Sequence, residues 1–390
     1  MARNIKVGID IGTYQVKVAV SESVLEKDRN VPRILGVGFA ESKGMRHGHI
    51  INAAEVTRSI RLAVQQAEKS AGGFKIRKAY VSIGGMGLNS VYAKGTTIIS
   101  RADSEITELD VKKVIQTSES ALPKNFMANR HIIHVIPTEY KVDGEVVMGR
   151  PVGFKGNRLE VTTMFVTALE RHFQDTIAAV NEAEIQIEDI VAAPIAASLV
   201  TLNRIQKTAG CVLANIGAET VSLIVYENNI PTSIEVFPIG STDITNDIAL
   251  GLKIPLEEAE DIKLGNTQNL PHSKKKLDEI VEARLSDIFE LIEAHLKKIG
   301  RNGLLPAGII ISGGGSGLDR LQDFARASLR LPSKIASFNF TSHLRVPIKD
   351  ATWAVAYGLC ILGFTNGEDI TEPHSQTKNL FKNWLKQFWP

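Results

Sequence analysis

Residues 10–20, DIGTYQVKVAV, and residues 215–225, NIGAETVSLIV, align without a gap. Asp10 meets Asn215, Ile11 meets Ile216, Gly12 meets Gly217 and Val16 meets Val221, while Val18 and Val20 meet Leu223 and Val225. Each copy reads as two β-branched strands joined by a tight turn at the glycine. A D/N-I-G turn between valine-rich strands is a cheap pattern when met once. Glycine and strand phase kept together, far apart in one chain, predict one strand–turn–strand unit used twice, and so two similar lobes.

A glycine at such a turn lets backbone N–H groups approach an anion with no Cβ in the way. Asp10, at the strand end, can reach a magnesium ion through its hydration water. Thr13 offers a hydroxyl beside the same phosphates. A single turn reads as an ordinary hairpin; two facing turns predict a clamp on a polyphosphate. A third glycine stretch, GGGSG at 313–317, follows the apolar strand GIIIS and precedes a helix expected from Leu318. That arrangement aims backbone amides at a ligand. Its spacing is neither the dinucleotide-fold G-x-G-x-x-G nor the P-loop G-x-x-x-x-G-K-[ST].

Outward from these turns, residues 52–71 read as a helix that Asn52 can cap, with Val56, Ile60, Ala63, Val64 and Ala67 at helical spacing. Residues 75–83 read as a strand. The segment 84–162 changes style, to short strands and one helix near 107–121, and reads as an inserted subdomain. Helices are expected at 168–183, 194–206, 242–251, 255–264, 273–299 and 350–363, and strands across 211–237. The 390 residues exceed one ordinary domain. A net charge of +2 gives no global field to recruit nucleic acid.

Cys211 and Cys360 lie in separate apolar stretches, which excludes a disulfide framework and fits a reducing compartment. The opening MARNIKVGID has no apolar signal region, and no apolar run approaches the ~20 residues of a spanning helix. A cytosolic protein is expected, free to lie on a membrane surface. His47 and His49 read as a glycine-rich surface loop. His131 and His134, three apart in a strand, fall on opposite faces and cannot share a metal. Lys274, Lys275 and Lys276 read as the solvated start of a helix.

The three glycine elements, GIDIGT, NIGAET and GIIISGGGSGL, resemble in this order the two phosphate loops and the adenosine loop of the actin, Hsp70 and sugar-kinase superfamily. Over residues 5 to about 364, and again at the tail, the chain is similar to the FtsA family of actin-like cell-division proteins. KAYVSIGG, RHIIHVIPTEYKVDG, FPIGSTDITNDIA and PLEEAEDIK carry that likeness most specifically. The resemblance implies an α/β, two-lobed actin-like ATPase fold. Subdomain IA would comprise 1–83, 163–200 and 340–365, and an inserted IC-type subdomain 84–162. Subdomain IIA would comprise 201–242 and 304–339, and IIB 243–303. It implies ATP and Mg²⁺ as cofactors, with Asp10 serving the metal. Asp10, Gly12 and Thr13 match the first phosphate loop; Asn215, Gly217 and Thr220 match the second. Gly313, Gly314 and Gly315 match the adenosine loop. Glu260 and Lys263 match the helix beside adenine and ribose. Arg284 matches an arginine on the face that receives the FtsZ C-terminal peptide, though as a bare residue it reads equally as a solvated helix charge. Self-association into actin-like filaments, inner-membrane lipid and other divisome proteins are the remaining implied partners. The implied place is the cytoplasmic face of the inner membrane at the division septum.

Several positions depart from the family pattern. Asn215 stands where Asp is usual, Tyr14 and Gln15 where Ser or Thr and then Lys are common, and Ala218 and Glu219 where glycines are common. An amide brings no charge to hydrated Mg²⁺, and Glu219 adds an anion near phosphate. Weak hydrolysis or none is the expectation. A sugar or acetate kinase of the same superfamily would need a stronger phosphate grip. A pilus-assembly scaffold of PilM type would share fold and nucleotide. An Hsp70-type chaperone would need a substrate domain after the ATPase.

The tail favours the membrane tether over these alternatives. Residues 366–377 are polar, acidic and proline-bearing, a linker composition. Residues 378–390, KNLFKNWLKQFWP, wound at 100° per residue, separate cleanly. Leu380, Phe381, Trp384, Leu385, Phe388 and Trp389 fill one half of the circle. Lys382 and Lys386 fill the other with Asn379, Asn383 and Gln387. The segment is too short to span a bilayer and is expected to lie in its interface.

Overall fold

The computed structural model describes residues 4–26, 29–266, 274–318, 320–337 and 351–366. The expected linker beyond residue 366 and the helix at 378–390 lie outside the described residues.

Strands β1 (Ile5–Ile11), β2 (Gln15–Glu26) and β3 (Arg29–Glu41) form an antiparallel meander. A two-rung hairpin, β4 (Met45–Arg46) and β5 (His49–Ile50), leads to helix α1 (Ala53–Ser70) and strand β6 (Lys78–Ile83), which runs parallel to β1. Asn52 caps α1 as expected, accepting from the Glu55 amide at 3.3 Å. The anticipated apolar stripe of α1 is buried against β3. Gly38 makes that contact possible, because a Cβ there would stand 2.1 Å from the Ala63 carbonyl oxygen.

The insertion follows: β7 (Asn89–Ile98), α2 (Glu108–Ser120), α3 (Lys124–Met127), β8 (Arg130–Val142), β9 (Glu145–Val147) and β10 (Arg158–Leu169), in sheet order β7-β10-β8-β9. The expectation of short strands fails here, since β8 has 13 residues and β10 has 12. Their pairing runs almost unbroken, with bulges at Thr162/Thr163 and Val166/Thr167 absorbing the accumulated twist. The insertion leans on the far lobe. Ser90 Oγ accepts from the Ile234 amide at 2.9 Å, and the Tyr92 hydroxyl donates to the Thr232 carbonyl at 2.6 Å.

Helix α4 (Glu170–Glu182) and strand β11 (Gln186–Ala192) complete the first lobe. The single helix expected at 194–206 is two, α5 (Ala193–Thr201) and α6 (Arg204–Ala209). Leu202 is extended, and Asn203 starts a new helix through a capping box with Gln206. The second lobe holds β12 (Cys211–Ile216), β13 (Val221–Glu227), β14 (Ile230–Phe237), α7 (Ser241–Leu252), α8 (Leu256–Lys263) and α9 (Lys274–Lys298). It continues through β15 (Gly308–Ser312), α10 (Leu321–Leu329) and β16 (Ser333–Ile335), and α11 (Ala354–Asn366) follows. The helix expected from Leu318 begins only at Leu321, because Gly314–Gly317 make a separate 3₁₀ turn.

The internal repeat is real in three dimensions. The sheets are ordered β3-β2-β1-β6-β11 and β14-β13-β12-β15-β16, each a three-strand meander extended by two parallel strands. Even the register repeats: Asp10 pairs with Lys17 and Ile11 with Val16, as Asn215 pairs with Ser222 and Ile216 with Val221.

Helices α5 and α11 join the lobes. One core cluster runs through Tyr80, Ile195, Leu213, Tyr226, Ile310 and Leu359. The buried Tyr226 hydroxyl meets Ser198 Oγ at 2.8 Å, pinning β13 to α5. Helix α11 rests directly on backbone. A Cβ on Gly8 would lie 2.1 Å from the Ala356 carbonyl oxygen, and one on Gly358 would lie 1.9 Å from that of Ala196. Both cysteines are free and buried, as expected.

His131 and His134 do point to different places. His131 stacks on Phe173 with ring centroids 3.8 Å apart. His134 is buried, and its Nε2 accepts from the Ala192 amide at 2.9 Å. Burial pulls its pKa down to about 3. A depressed histidine adds stability above its unfolded pKa that is lost as pH falls towards the folded one. Unfolded histidine titrates near ~6.5, so between pH 7 and pH 5 the wild type loses about 2 kcal/mol through this residue. His134→Gln keeps an acceptor without titrating. The stability gap between the two proteins in urea is expected to narrow by that amount over this interval; a constant gap would refute the assignment.

Candidate functional site

The two glycine turns are built alike. The Gly12 amide donates to the Gln15 carbonyl at 3.2 Å, and the Gly217 amide to the Thr220 carbonyl at 2.8 Å. A Cβ on either glycine would sit 2.9 or 3.0 Å from that same carbonyl oxygen, so each turn closes most tightly around glycine. The first turn is tied to the stretch leading from β3 into the next hairpin, because the Tyr14 carbonyl accepts from the Ser42 amide at 2.9 Å. That hairpin reaches the second turn. The His47 amide donates to Glu219 Oε2 at 2.5 Å, and His47 Nδ1 lies 3.3 Å from the Glu219 carbonyl. Both turns therefore border one cleft between the lobes.

Asp10 closes the end of β1. Ser82, at the end of β6, donates from its hydroxyl to Asp10 Oδ1 at 2.8 Å and accepts from the Ile11 amide at 3.2 Å. Desolvation raises the Asp10 pKa, against the lowering effects of Lys17 and the Ser82 hydroxyl. A half-buried carboxylate at a strand end, disfavoured as a bare anion, is a fitting partner for a hydrated cation. Thr13 is half-buried beside it, and Tyr14 is exposed.

The second turn is braced from behind. A Cβ on Gly240 would come within 2.3 Å of the Ala218 carbonyl oxygen. The Ser241 and Thr242 amides, the first of α7, donate to the Gly217 and Ala218 carbonyls at 2.9 and 2.8 Å. The third glycine stretch packs on the same place. Gly313 has φ +88°, and a Cβ there would meet Asn215 Oδ1 at 2.3 Å and the Ile216 carbonyl at 2.4 Å. At Gly315 it would strike the Ile216 side chain at 2.5 Å, whereas Gly314 is exposed and has room. Two of the three glycines thus bring the loop against the end of β12, and the middle one faces open space. Asn215 offers a neutral oxygen pressed against Gly313, which fits a weak grip on Mg²⁺.

Glu260 and Lys263 pair with each other on α8. Lys263 Nζ bonds Glu260 Oε2 at 2.7 Å, Thr245 Oγ1 at 2.8 Å and the Ser241 carbonyl at 3.1 Å. An ammonium has three donors, so Lys263 has none left for a ligand. Its side chain is also covered, while Glu260 remains partly exposed. Arg284 lies apart from the cleft, on α9. Its guanidinium forks onto both oxygens of Asp247 on α7, at 2.6 and 3.1 Å, and reaches Asp287 at 3.1 Å. Arg284, open in the sequence between a peptide-binding residue and a solvated helix charge, is a half-buried strut between α7 and α9.

Sequence reasoning missed Ser82, Gly240 and above all His47, which was read as surface loop. The H-G pair between two short strands was a usable hairpin signal. Its contact with Glu219, 172 positions away, had no local trace. Among the described residues no group of three or more His, Cys, Asp or Glu side chains could hold a metal by themselves. No described helix is long and apolar enough to cross a membrane.

Residues 212–358 match the sequence profile of the family described as "Cell division protein FtsA", and residues 85–167 match "SHS2 domain inserted in FTSA". The curated "Cell division protein FtsA" of Bacillus subtilis (strain 168) is 30% identical over 374 aligned residues, covering 90% of this chain and 82% of that protein. Among solved structures, the "PilM-PilN type IV pilus biogenesis complex" superposes with a TM-score of 0.66 at 17% identity, over 92% of this chain and 98% of that one. MreB5 of Spiroplasma citri bound to ADP superposes with a TM-score of 0.51 at 13% identity, over 92% and 96%. These two likenesses are of fold.

Proposed function

Because the chain belongs to the FtsA family of cell-division proteins, we propose that it is an ATP-binding, actin-like adaptor that polymerises on the inner membrane and tethers the FtsZ ring there. Later divisome components would be recruited to that polymer at the septum. The observation that supports nucleotide binding best is the repeated glycine turn, with both copies at one cleft and Asp10 at the first strand end. Backbone amides of the two turns would hold phosphates, and Asp10 would hold Mg²⁺ through water. A bound Mg²⁺ would neutralise phosphate charge. Glu260 would contact the ribose and the 313–315 loop the adenosine. Asn215 and Glu219 make turnover slow.

Calorimetry of the full chain with Mg-ATP tests this reading. Binding is expected for the wild type, and Asp10→Ala should weaken it by ~1–3 kcal/mol, the range for losing a charged hydrogen-bonding group. Undetectable binding by the wild type would overturn the nucleotide assignment, and turnover of many ATP per second would overturn the slow-hydrolysis part. The PilM likeness does not favour a pilus role, because it is a likeness of fold at 17% identity, while the insertion matches a domain type described for FtsA.

The FtsZ C-terminal peptide would dock on the face formed by α7 and α9. Arg284 would serve it by exchanging one arm of its Asp247 fork for a peptide carboxylate. Arg284→Glu would place a carboxylate beside Asp247 and Asp287, so peptide affinity at low salt should fall about tenfold or more. Unchanged affinity would remove Arg284 from the interface.

A further inference from the structure

Glu219 bridges the lobes. Its Oε2 accepts the His47 amide at 2.5 Å and its backbone carbonyl faces His47 Nδ1 at 3.3 Å, so one residue of the second turn holds the tip of the 45–50 hairpin by two contacts. The tip is shaped for this. His47 and Gly48 are the two residues between the rungs Arg46–His49 and Met45–Ile50, and both have positive φ, +46° and +77°. Gly48 packs so closely on Gly85 that a Cβ would fall 2.3 Å from the Gly85 Cα, and the His47 carbonyl accepts from the Met86 amide at 3.1 Å. The hairpin is thus coupled to the turn after β6, whose Ser82 holds Asp10. A left-handed histidine is a costly conformation that its surroundings must hold in place.

The same carboxylate belongs to the turn between Gly217 and Thr220, closed by the Gly217 amide on the Thr220 carbonyl and matching a phosphate loop. A phosphate held at this turn and the Glu219 carboxylate carry like charge and repel each other. The longer the phosphate chain that enters, the stronger that conflict becomes.

We propose that Glu219 is the residue by which this cleft distinguishes a nucleoside triphosphate from a diphosphate. Its carboxylate clasps the His47 tip and latches the lobes. The terminal phosphate of a triphosphate displaces it, and the hairpin is released. A diphosphate leaves the clasp in place. Glu219 acts here as a specificity residue, and the inference rests on nucleotide binding in this cleft.

The test uses the full-length protein, Mg-ATP, Mg-ADP and two variants. Glu219→Gln keeps an oxygen acceptor of the same reach and removes the charge; Glu219→Ala removes both. In each variant the ratio of ATP to ADP affinity, measured by calorimetry, should rise about tenfold over the wild type. Backbone hydrogen exchange across 45–50 reads the clasp directly. In the wild type it should be slow without nucleotide and with ADP, and about tenfold faster with ATP. In Glu219→Ala it should be fast without any nucleotide, and in Glu219→Gln it should stay slow. An unchanged affinity ratio in Glu219→Gln, or hairpin exchange in nucleotide-free Glu219→Ala as slow as in the wild type, overturns the proposal while nucleotide binding stands. If the wild type binds neither nucleotide, the cleft assignment itself fails and the proposal falls with it. Should Glu219→Ala not fold, the affinity ratio of Glu219→Gln decides.

Discussion

Removing residues 378–390 is expected to release the protein from anionic liposomes altogether. The segment sets six large apolar side chains against three lysines and no acid. Each aromatic or leucine side chain transferred from water contributes on the order of 1.5–3 kcal/mol when fully buried, and each lysine near an anionic surface adds ~1 kcal/mol. These contributions act only where lipid is present, so the apolar face and the lysines should hold the protein to the membrane. Trp384→Glu with Phe388→Glu is the sharper test because it keeps the length. It removes two anchors and adds two repelled charges, and should weaken partitioning at least ~100-fold, at ~1.4 kcal/mol per decade. Sedimentation with vesicles rich in anionic lipid reads the result directly. Either variant pelleting as well as the wild type would place the anchor elsewhere and end the tether reading.

Gly358→Val should be among the most damaging single substitutions in the described residues. Its Cβ would lie 1.9 Å from the Ala196 carbonyl oxygen, and that oxygen belongs to a helix backbone that cannot swing aside as a side chain would. Helix α11 would have to lift from α5, opening the cluster around Ile195 and Leu359 and parting it from β1, where Ala356 sits against Gly8. Overpacking against yielding neighbours costs about 1–3 kcal/mol, and an unyielding one calls for more. A loss of about 3 kcal/mol or greater is expected, seen as a lower midpoint in urea or as insoluble expression. A variant within 0.5 kcal/mol of the wild type, the range of about ±0.5 kcal/mol typical of neutral surface changes, would show that the α5–α11 crossing is looser than the geometry indicates.

Much of this fold was legible because its defining unit is local. A strand, a glycine turn and a second strand announce themselves within eleven residues, and writing the unit twice turned a weak signal into a two-lobe prediction. The insertion between β6 and α4 was recognised by its change of style, but its long strands were read as short ones. Gly95, Pro137 and Gly156 look like breaks in a sequence. In the fold Gly95 instead admits α2, whose Val114 carbonyl would be 2.2 Å from a Cβ there. The site divides in the same way. Gly12, Gly217 and Gly313 are fixed by backbone geometry a few residues long, so sequence found them. The occupancy of Lys263 and Arg284, and the partnership of His47 with Glu219, depend on side chains brought together by tertiary packing. Period and motif carry no information about whether a charged group is already engaged.

Helix α7 (Ser241–Leu252) fixes three contacts in one phase. Its first two amides hold the carbonyls of the second glycine turn, Thr245 one turn later bonds Glu260 and Lys263, and Asp247 grips Arg284 on α9. Those three stations occupy seven consecutive residues, roughly 9 Å of helix at 1.5 Å per residue. Because they share one rigid screw, inserting or deleting a single residue between Ser241 and Asp247 would rotate the later stations by ~100° and misdirect them together. The segment is therefore locked in length more tightly than in composition. Outward side chains of this helix can change without touching the three stations, but a change in its number of residues would uncouple the cleft from the α9 face in one step.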